Sequence, residues 1–214
     1  MRQDPDLKFG PAPTHYGMLD GASFVETAKL KAVARLIRLV IATKQAGLIF
    51  GDAGLGKTTA VRYVLRVILE IPFAEVTFSD SPNRRENVDT LHRAILGRPG
   101  EGTAATIEAA LRRAVCDRDV VLVVDEVESI DIKRLTTLRK LQDVPGARLA
   151  VIYIGDSNAD AQLRADLRLD DRLLTGLRFD AISFDAIATH LPRYHPLYAD
   201  LPRKTLAPTQ QRRL

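Results

Sequence analysis

A cluster of glycines set between an apolar stretch and an amphipathic one constrains this chain more than any other feature. Gly47-Leu48-Ile49-Phe50 reads as a short buried strand. It runs directly into Gly51-Asp52-Ala53-Gly54-Leu55-Gly56-Lys57-Thr58, followed by Thr59. Beyond the glycines, Val61, Val64, Leu65, Ile68 and Leu69 recur at helical spacing until Pro72, which cannot continue a helix. Glycines let the backbone curl so that successive N–H groups point inward at an anion, and the following helix adds the partial positive charge of its N-terminus. In the pattern Gly-x4-Gly-Lys-Thr, the lysine reaches the β and γ phosphates of a nucleotide and the hydroxyl ligates Mg²⁺. Its four fixed positions arise by accident in roughly 1% of chains this long. Placed between a strand and a helix, Gly51 to Thr59 are predicted to hold the phosphates of ATP, with Lys57 catalytic and Thr58 a metal ligand.

The rest of the chain alternates in the same way. Ser23 and Glu26 have capping-box spacing ahead of an apolar face made by Leu30, Val33, Ala34, Ile37, Val40 and Ile41. Strands are expected over 73–78, 120–124, 149–154 and 179–184, and helices over 88–96, 104–115 and around Leu135, Leu138 and Leu141. Such alternation predicts an α/β fold, a parallel sheet with helices on both faces. Val120-Val121-Leu122-Val123-Val124 reads as a strand covered on both sides.

That strand ends in Asp125 and Glu126. Ligands of an open parallel sheet gather at the carboxyl ends of its strands. A carboxylate there can hold Mg²⁺ through water, and a neighbouring one can orient or deprotonate an attacking water. Asp125 is therefore assigned the metal role and Glu126 the water-activating one. A kinase passing phosphate to a bound acceptor needs no such second acid, so Glu126 favours hydrolysis.

Taken together, Gly51 to Thr59, Val121 to Glu126, Leu135 to Leu141, Ile152-Tyr153-Ile154-Gly155 and Arg178-Phe179 before Ile182 and Phe184 resemble an AAA+ ATPase, a P-loop ATPase of the additional-strand type. The resemblance is to the group holding the TniB and Mu B transposition helpers and the ExeA-like secretion ATPases. It implies a polar γ-phosphate sensor after the fourth strand, with Asp156 and Asn158 as candidates and the neutral amide of Asn158 the better one. It also implies an arginine before the final strand that reaches a neighbouring subunit's nucleotide: Arg178, with Arg172 as the fallback. Such a residue makes the active form a homo-oligomer. Double-stranded DNA and a transposase are the partners implied, with Arg84 and Arg85, helped by Lys133 and Arg134, contacting phosphates. Against the family pattern, only about thirty residues follow Phe184, interrupted by Pro192, Pro196, Pro202 and Pro208, too few for the helical lid. The expected organisation is an extended lead-in over 1–22, an ATPase domain over 23–185, and a lid remnant with a basic tail over 186–214.

Composition narrows the remaining choices. From His190 onward the chain carries a net charge of +4, equal to that of the whole, so the pI near 9.3 arises in the tail. The body is close to neutral. One cysteine, Cys116, excludes an internal disulfide and reads as a small helix-packing residue. No apolar run suits a signal peptide or a membrane span, because Arg38 interrupts the longest. A cytoplasmic location is expected. Tyr16 and Phe24 suit either an adenine contact or core packing. Two further readings stay open: ATP occupancy that recruits a partner without turnover, and a secretion-associated ATPase.

Overall fold

The structure, a computed structural model, describes residues 25–78, 83–165, 171–194 and 198. Ser23, Tyr16, Phe24 and most of the basic tail lie outside the described residues.

Helix α1 spans Ala28–Thr43 and packs Leu30, Val33, Ala34, Leu36, Ile37 and Val40 inward. Its N-cap is Thr27, whose hydroxyl accepts from the Leu30 amide at 3.1 Å. The helix thus starts after the Ser23–Glu26 pair, because Thr27 has both the extended backbone and the side-chain oxygen that capping needs. Strand β1 (Ala46–Phe50) leads through the glycine loop to α2 (Lys57–Tyr63), which widens into a π-helical turn over Val64–Ile68. Then come β2 (Ala74–Val76), α3 (Arg84–Leu96), α4 (Ala104–Asp117), β3 (Val120–Val124) and a 3₁₀ turn at Val127–Ser129. Helix α5 (Ile132–Gln142), β4 (Leu149–Gly155), α6 (Ala159–Ala165), β5 (Leu173–Arg178) and α7 (Phe184–Tyr194) complete the order.

All four pairings in the sheet are parallel, and the strand order is β2-β3-β4-β1-β5. Strand β4 stands between β1 and β3, which is the inserted strand that the additional-strand reading requires. Alternation across the sheet sorts the core into two layers. Val120, Leu122 and Val124 face α3, α4 and α5, whereas Val121 and Val123 face α1 and α2. Every residue of β3 and β4 is buried, as expected for central strands covered twice.

The final strand differs from the expected one. Residues 179–184 do not form it: Phe179 to Ser183 is irregular and Phe184 opens α7. The strand is Leu173–Arg178, so Arg178 ends it instead of preceding it. It lies at the sheet edge, and its burial pattern is mixed, with Leu174 exposed. An edge strand has one neighbour and half the cover, so its apolar signal is diluted.

A second feature left no trace in periodicity. Arg62 on α2 grips Glu75 of β2 through Nε, at 3.1 and 3.0 Å to the two carboxylate oxygens, and through a terminal nitrogen at 2.5 Å. Glu75 is nearly buried, so this two-pronged contact fastens the three-residue strand β2 to the helix that follows the glycine loop. Arg66, one turn on, lies 5.7 Å over the Phe73 ring. Burial, then the nearby Arg62 charge, lowers its pKa from the usual arginine range.

Candidate functional site: the carboxyl edge of the sheet

Gly51 leaves β1 with φ of 150°, and any Cβ there would stand 2.1 Å from the Phe179 carbonyl oxygen. Only glycine allows the end of β5 to close onto the loop this tightly, with the Phe179 amide donating to the Phe50 carbonyl at 2.6 Å. Gly54 and Gly56 also have positive φ, and a Cβ at either would meet nothing within 4 Å. The loop's rim therefore faces open space. Leu55 turns the other way and packs on the α1–α2 layer.

Lys57 folds back across this rim. Its ammonium donates to the Gly51 carbonyl at 2.7 Å and the Asp52 carbonyl at 2.8 Å. Both acceptors are backbone carbonyls of the loop, so the cation is held against the glycine loop itself. The next residue reaches the opposite way: the Thr58 hydroxyl donates to Asp125 Oδ2 at 2.8 Å, across a sequence distance of 67 residues. Strand β3 delivers Asp125, and the Asp125 amide donates to the Val76 carbonyl of β2 at 3.1 Å, which fixes that strand end. Thr59 is half-buried in the first turn of α2.

Glu126 is exposed and left-handed, with φ of 55°. For a side chain with a Cβ that conformation costs on the order of 1 kcal/mol. It is held from both sides: its amide donates to Asp125 Oδ1 at 2.9 Å, and its carbonyl accepts from Ser129 Oγ at 2.7 Å and Ser129 N at 3.0 Å. The two acids thus diverge, Asp125 toward Thr58 and Glu126 into solvent.

The loop after β4 joins the same edge by bonds that sequence reasoning missed. Ser157 Oγ donates to Asp52 Oδ1 in a very short hydrogen bond, tying this loop to the glycine loop. Glu128 accepts from the Asp156 amide at 3.0 Å, tying it to the turn after β3. Asp156 in turn accepts from the Asn158 amide at 2.7 Å and from its side-chain nitrogen at 3.2 Å. Asn158 is therefore turned toward Asp156, and Ser157 is the residue that touches the loop. A hydroxyl between two turn-formers was the available signal for Ser157; nothing marked Glu128.

The arginines separate clearly. Arg178 lies at the loop end of β5, opposite Phe50, with its side chain exposed and its Nε 3.2 Å from Asp180. Lys29 of α1 bonds the Arg178 carbonyl at 2.8 Å and Asp180 at 3.1 Å. Arg172 precedes the other end of the strand and pairs with Asp143 at 2.5 Å. Arg84 bonds Glu108 at 2.8 Å, and Arg85 bonds the Gly102 carbonyl at 3.1 Å, so both bind α3 to the α4 side. Arg134 corrects the expectation of a phosphate contact. It is buried, donates to Asn87 at 2.9 Å and lies 5.6 Å over the Phe78 ring, because its helix turns it inward; Lys133 remains exposed. Cys116 is half-buried on α4.

Residues 40–163, more than half of the chain and including both the glycine loop and the acidic strand end, match the family profile described as AAA domain. The chain belongs to this family. No curated protein matches it in sequence. Among solved structures, the AAA domain is similar to Cdc6p from Pyrobaculum aerophilum, with TM-score 0.61 and 18% identity over 79% of this chain and 50% of that one. It is similar to the ORC2 protein of Aeropyrum pernix in its ADP form, with TM-score 0.64 and 19% identity over 89% and 55%. The ORC1 protein of Aeropyrum pernix in complex with DNA matches with TM-score 0.57 and 14% identity over 88% and 52%. At these identities the likeness is one of fold. This AAA domain spans about half the length of those proteins. Among its described residues no helix is long and apolar enough to cross a membrane.

Proposed function

We propose that this AAA domain binds ATP with Mg²⁺ and hydrolyses it, acting in an oligomer as a DNA-associated helper ATPase of transposition of the TniB and Mu B type. The observation that carries the hydrolytic reading is the 2.8 Å contact between Thr58 and Asp125, with Glu126 held left-handed beside it. A hydroxyl and a carboxylate are oxygen donors of the kind a hard cation takes, and two such donors leave room for the waters Mg²⁺ keeps. When bound, Mg²⁺ supplies charge neutralisation at the phosphate oxygens.

The chain's own residues do the rest. Lys57 exchanges the carbonyls of Gly51 and Asp52 for phosphate oxygens, a move that costs no side-chain reach. The amides of Gly54 to Thr58 surround the triphosphate. Glu126 faces solvent, where it orients a water for attack on the γ phosphate and accepts its proton. A polar group on the loop after β4 senses that phosphate, with Asn158 the amide available and Ser157 the hydroxyl already against Asp52. Arg178 stabilises developing charge in a neighbouring subunit's site. Support for assembly comes from β5, whose outer edge pairs with no described strand, in a stretch with Leu174 and Ile182 exposed. Support for DNA comes from the fold shared with an ORC1 protein solved on DNA.

The test is phosphate release by the full chain, with and without Mg²⁺ and duplex DNA. Magnesium-dependent turnover raised by duplex supports the proposal. Tight ATP binding with no turnover under any of these conditions replaces it with an occupancy switch.

A further inference from the structure

The body of the chain is close to neutral, yet one face of it is not. On α1, Lys31, Arg35 and Arg38 follow one another at four- and three-residue intervals and form a single exposed row. The row runs along roughly 10 Å of helix axis. Together with Glu26, Ala34 and Ile68 these three cations line a hollow of about 280 Å³ between α1 and the π-helical turn. Ile68 lies eleven residues past Lys57, so the hollow is separate from the glycine loop.

The state of the charges distinguishes this row from the arginines first expected to meet DNA. Arg84 is paired with Glu108, Arg85 is bound to the Gly102 carbonyl, and Arg134 is buried. Lys44 and Arg148 share Asp119. Arg35 and Arg38 take no hydrogen bond or ion pair among the described residues, and Lys31 is held only by Glu26, at 3.3 Å between side chains more than half exposed. An exposed pair of that kind is worth less than about 1 kcal/mol and yields readily to a stronger anion.

We infer that the α1 row, with its hollow, is a docking surface for the sugar–phosphate backbone of duplex DNA, and that it contributes more to DNA affinity than Arg84 and Arg85. The inference rests on the DNA reading proposed above. Guanidinium forks match phosphate oxygens two at a time, and a duplex presents a phosphate charge about every 1.7 Å along its axis, so a linear row of cations meets several at once. A surface of this kind reads no sequence; it supplies affinity and salt dependence. Among the described residues that line the hollow, Glu26 is the one carboxylate, and it sits at one end of the row beside Lys31, away from the end that Arg38 occupies.

The experiment is fluorescence anisotropy of a labelled mixed-sequence duplex, longer than one helical turn, titrated with the full chain over a range of salt. Arg35→Ala/Arg38→Ala is expected to weaken binding at low salt by roughly ten- to a hundredfold and to make the slope of log K against log salt shallower by about 2. Arg35→Lys/Arg38→Lys should keep most of the slope. ATP affinity and melting temperature should stay close to the parent values, because both residues are exposed on α1 and neither belongs to the glycine loop or the buried core. Loss of binding in Arg84→Ala/Arg85→Ala alone, with the α1 variant unaffected, overturns the inference and leaves the DNA reading standing. No binding by the parent chain at any salt overturns both. If polyglutamate binds through Arg35 and Arg38 while the duplex does not, the surface belongs to an acidic protein segment instead.

Discussion

The glycine loop and the β5 edge touch at Gly51 and Phe179, but they are built on different terms. At the loop, Lys57 bonds the nearby carbonyls of Gly51 and Asp52, and side chains from distant parts of the chain converge: Thr58 on Asp125, Asp52 on Ser157. Its strands are buried on both faces. At the edge, the Arg178 side chain is exposed and, among the described residues, meets Asp180 alone, while the strand beneath it has one described neighbour. The first region is tied together by contacts within one chain. The second presents an exposed cation whose side chain meets one carboxylate, Asp180, among the described residues, and it is from this exposure that action in a neighbouring subunit is proposed.

That contrast can be broken at several points. Lys57→Ala should have the largest effect, removing measurable turnover and severely weakening ATP binding; calorimetry showing an unchanged dissociation constant would remove the loop from the nucleotide site. Arg178→Ala should lower turnover on the order of 10³- to 10⁵-fold with ATP affinity nearly intact. Mixing it with a Glu126→Gln subunit should restore turnover, since each supplies what the other lacks, and failure of that rescue places Arg178 outside the neighbour's site. Glu126→Gln by itself should reduce turnover on the order of 10²- to 10⁴-fold while ATP stays bound. Persistent phosphate release by that variant would transfer the water-activating role elsewhere. Lys29→Ala should be mildest. It removes an exposed contact worth under about 1 kcal/mol, so turnover should change less than about fivefold. A larger loss would show that Lys29, through the Arg178 carbonyl and Asp180, holds the edge in register with the glycine loop.

Much of this was legible beforehand, for reasons that differ by residue. Central strands announce themselves because double burial demands unbroken apolar runs, as in Val120–Val124. The glycine loop is legible because its chemistry requires particular residues at adjacent positions. Edge strand β5 was misplaced by six residues, since a half-covered strand containing Thr175 and Gly176 carries little pattern. Arg134 was read as a surface cation because charge usually means exposure; a stacked ring and an asparagine make its burial tolerable.

By itself, then, the order of residues determined which groups to propose for phosphate and metal, and that strands and helices must alternate around a parallel sheet. Those facts follow from local chemistry and periodicity, which are written in neighbouring positions. Only the tertiary structure decided that Ser157 meets Asp52, that Glu128 anchors Asp156, and that among the described residues Arg35 and Arg38 take no partner while Arg84 and Arg85 do. Each of these depends on which side chains the fold brings within about 3 Å of one another. Hydrogen bonds across such sequence distances leave no periodic mark on the chain.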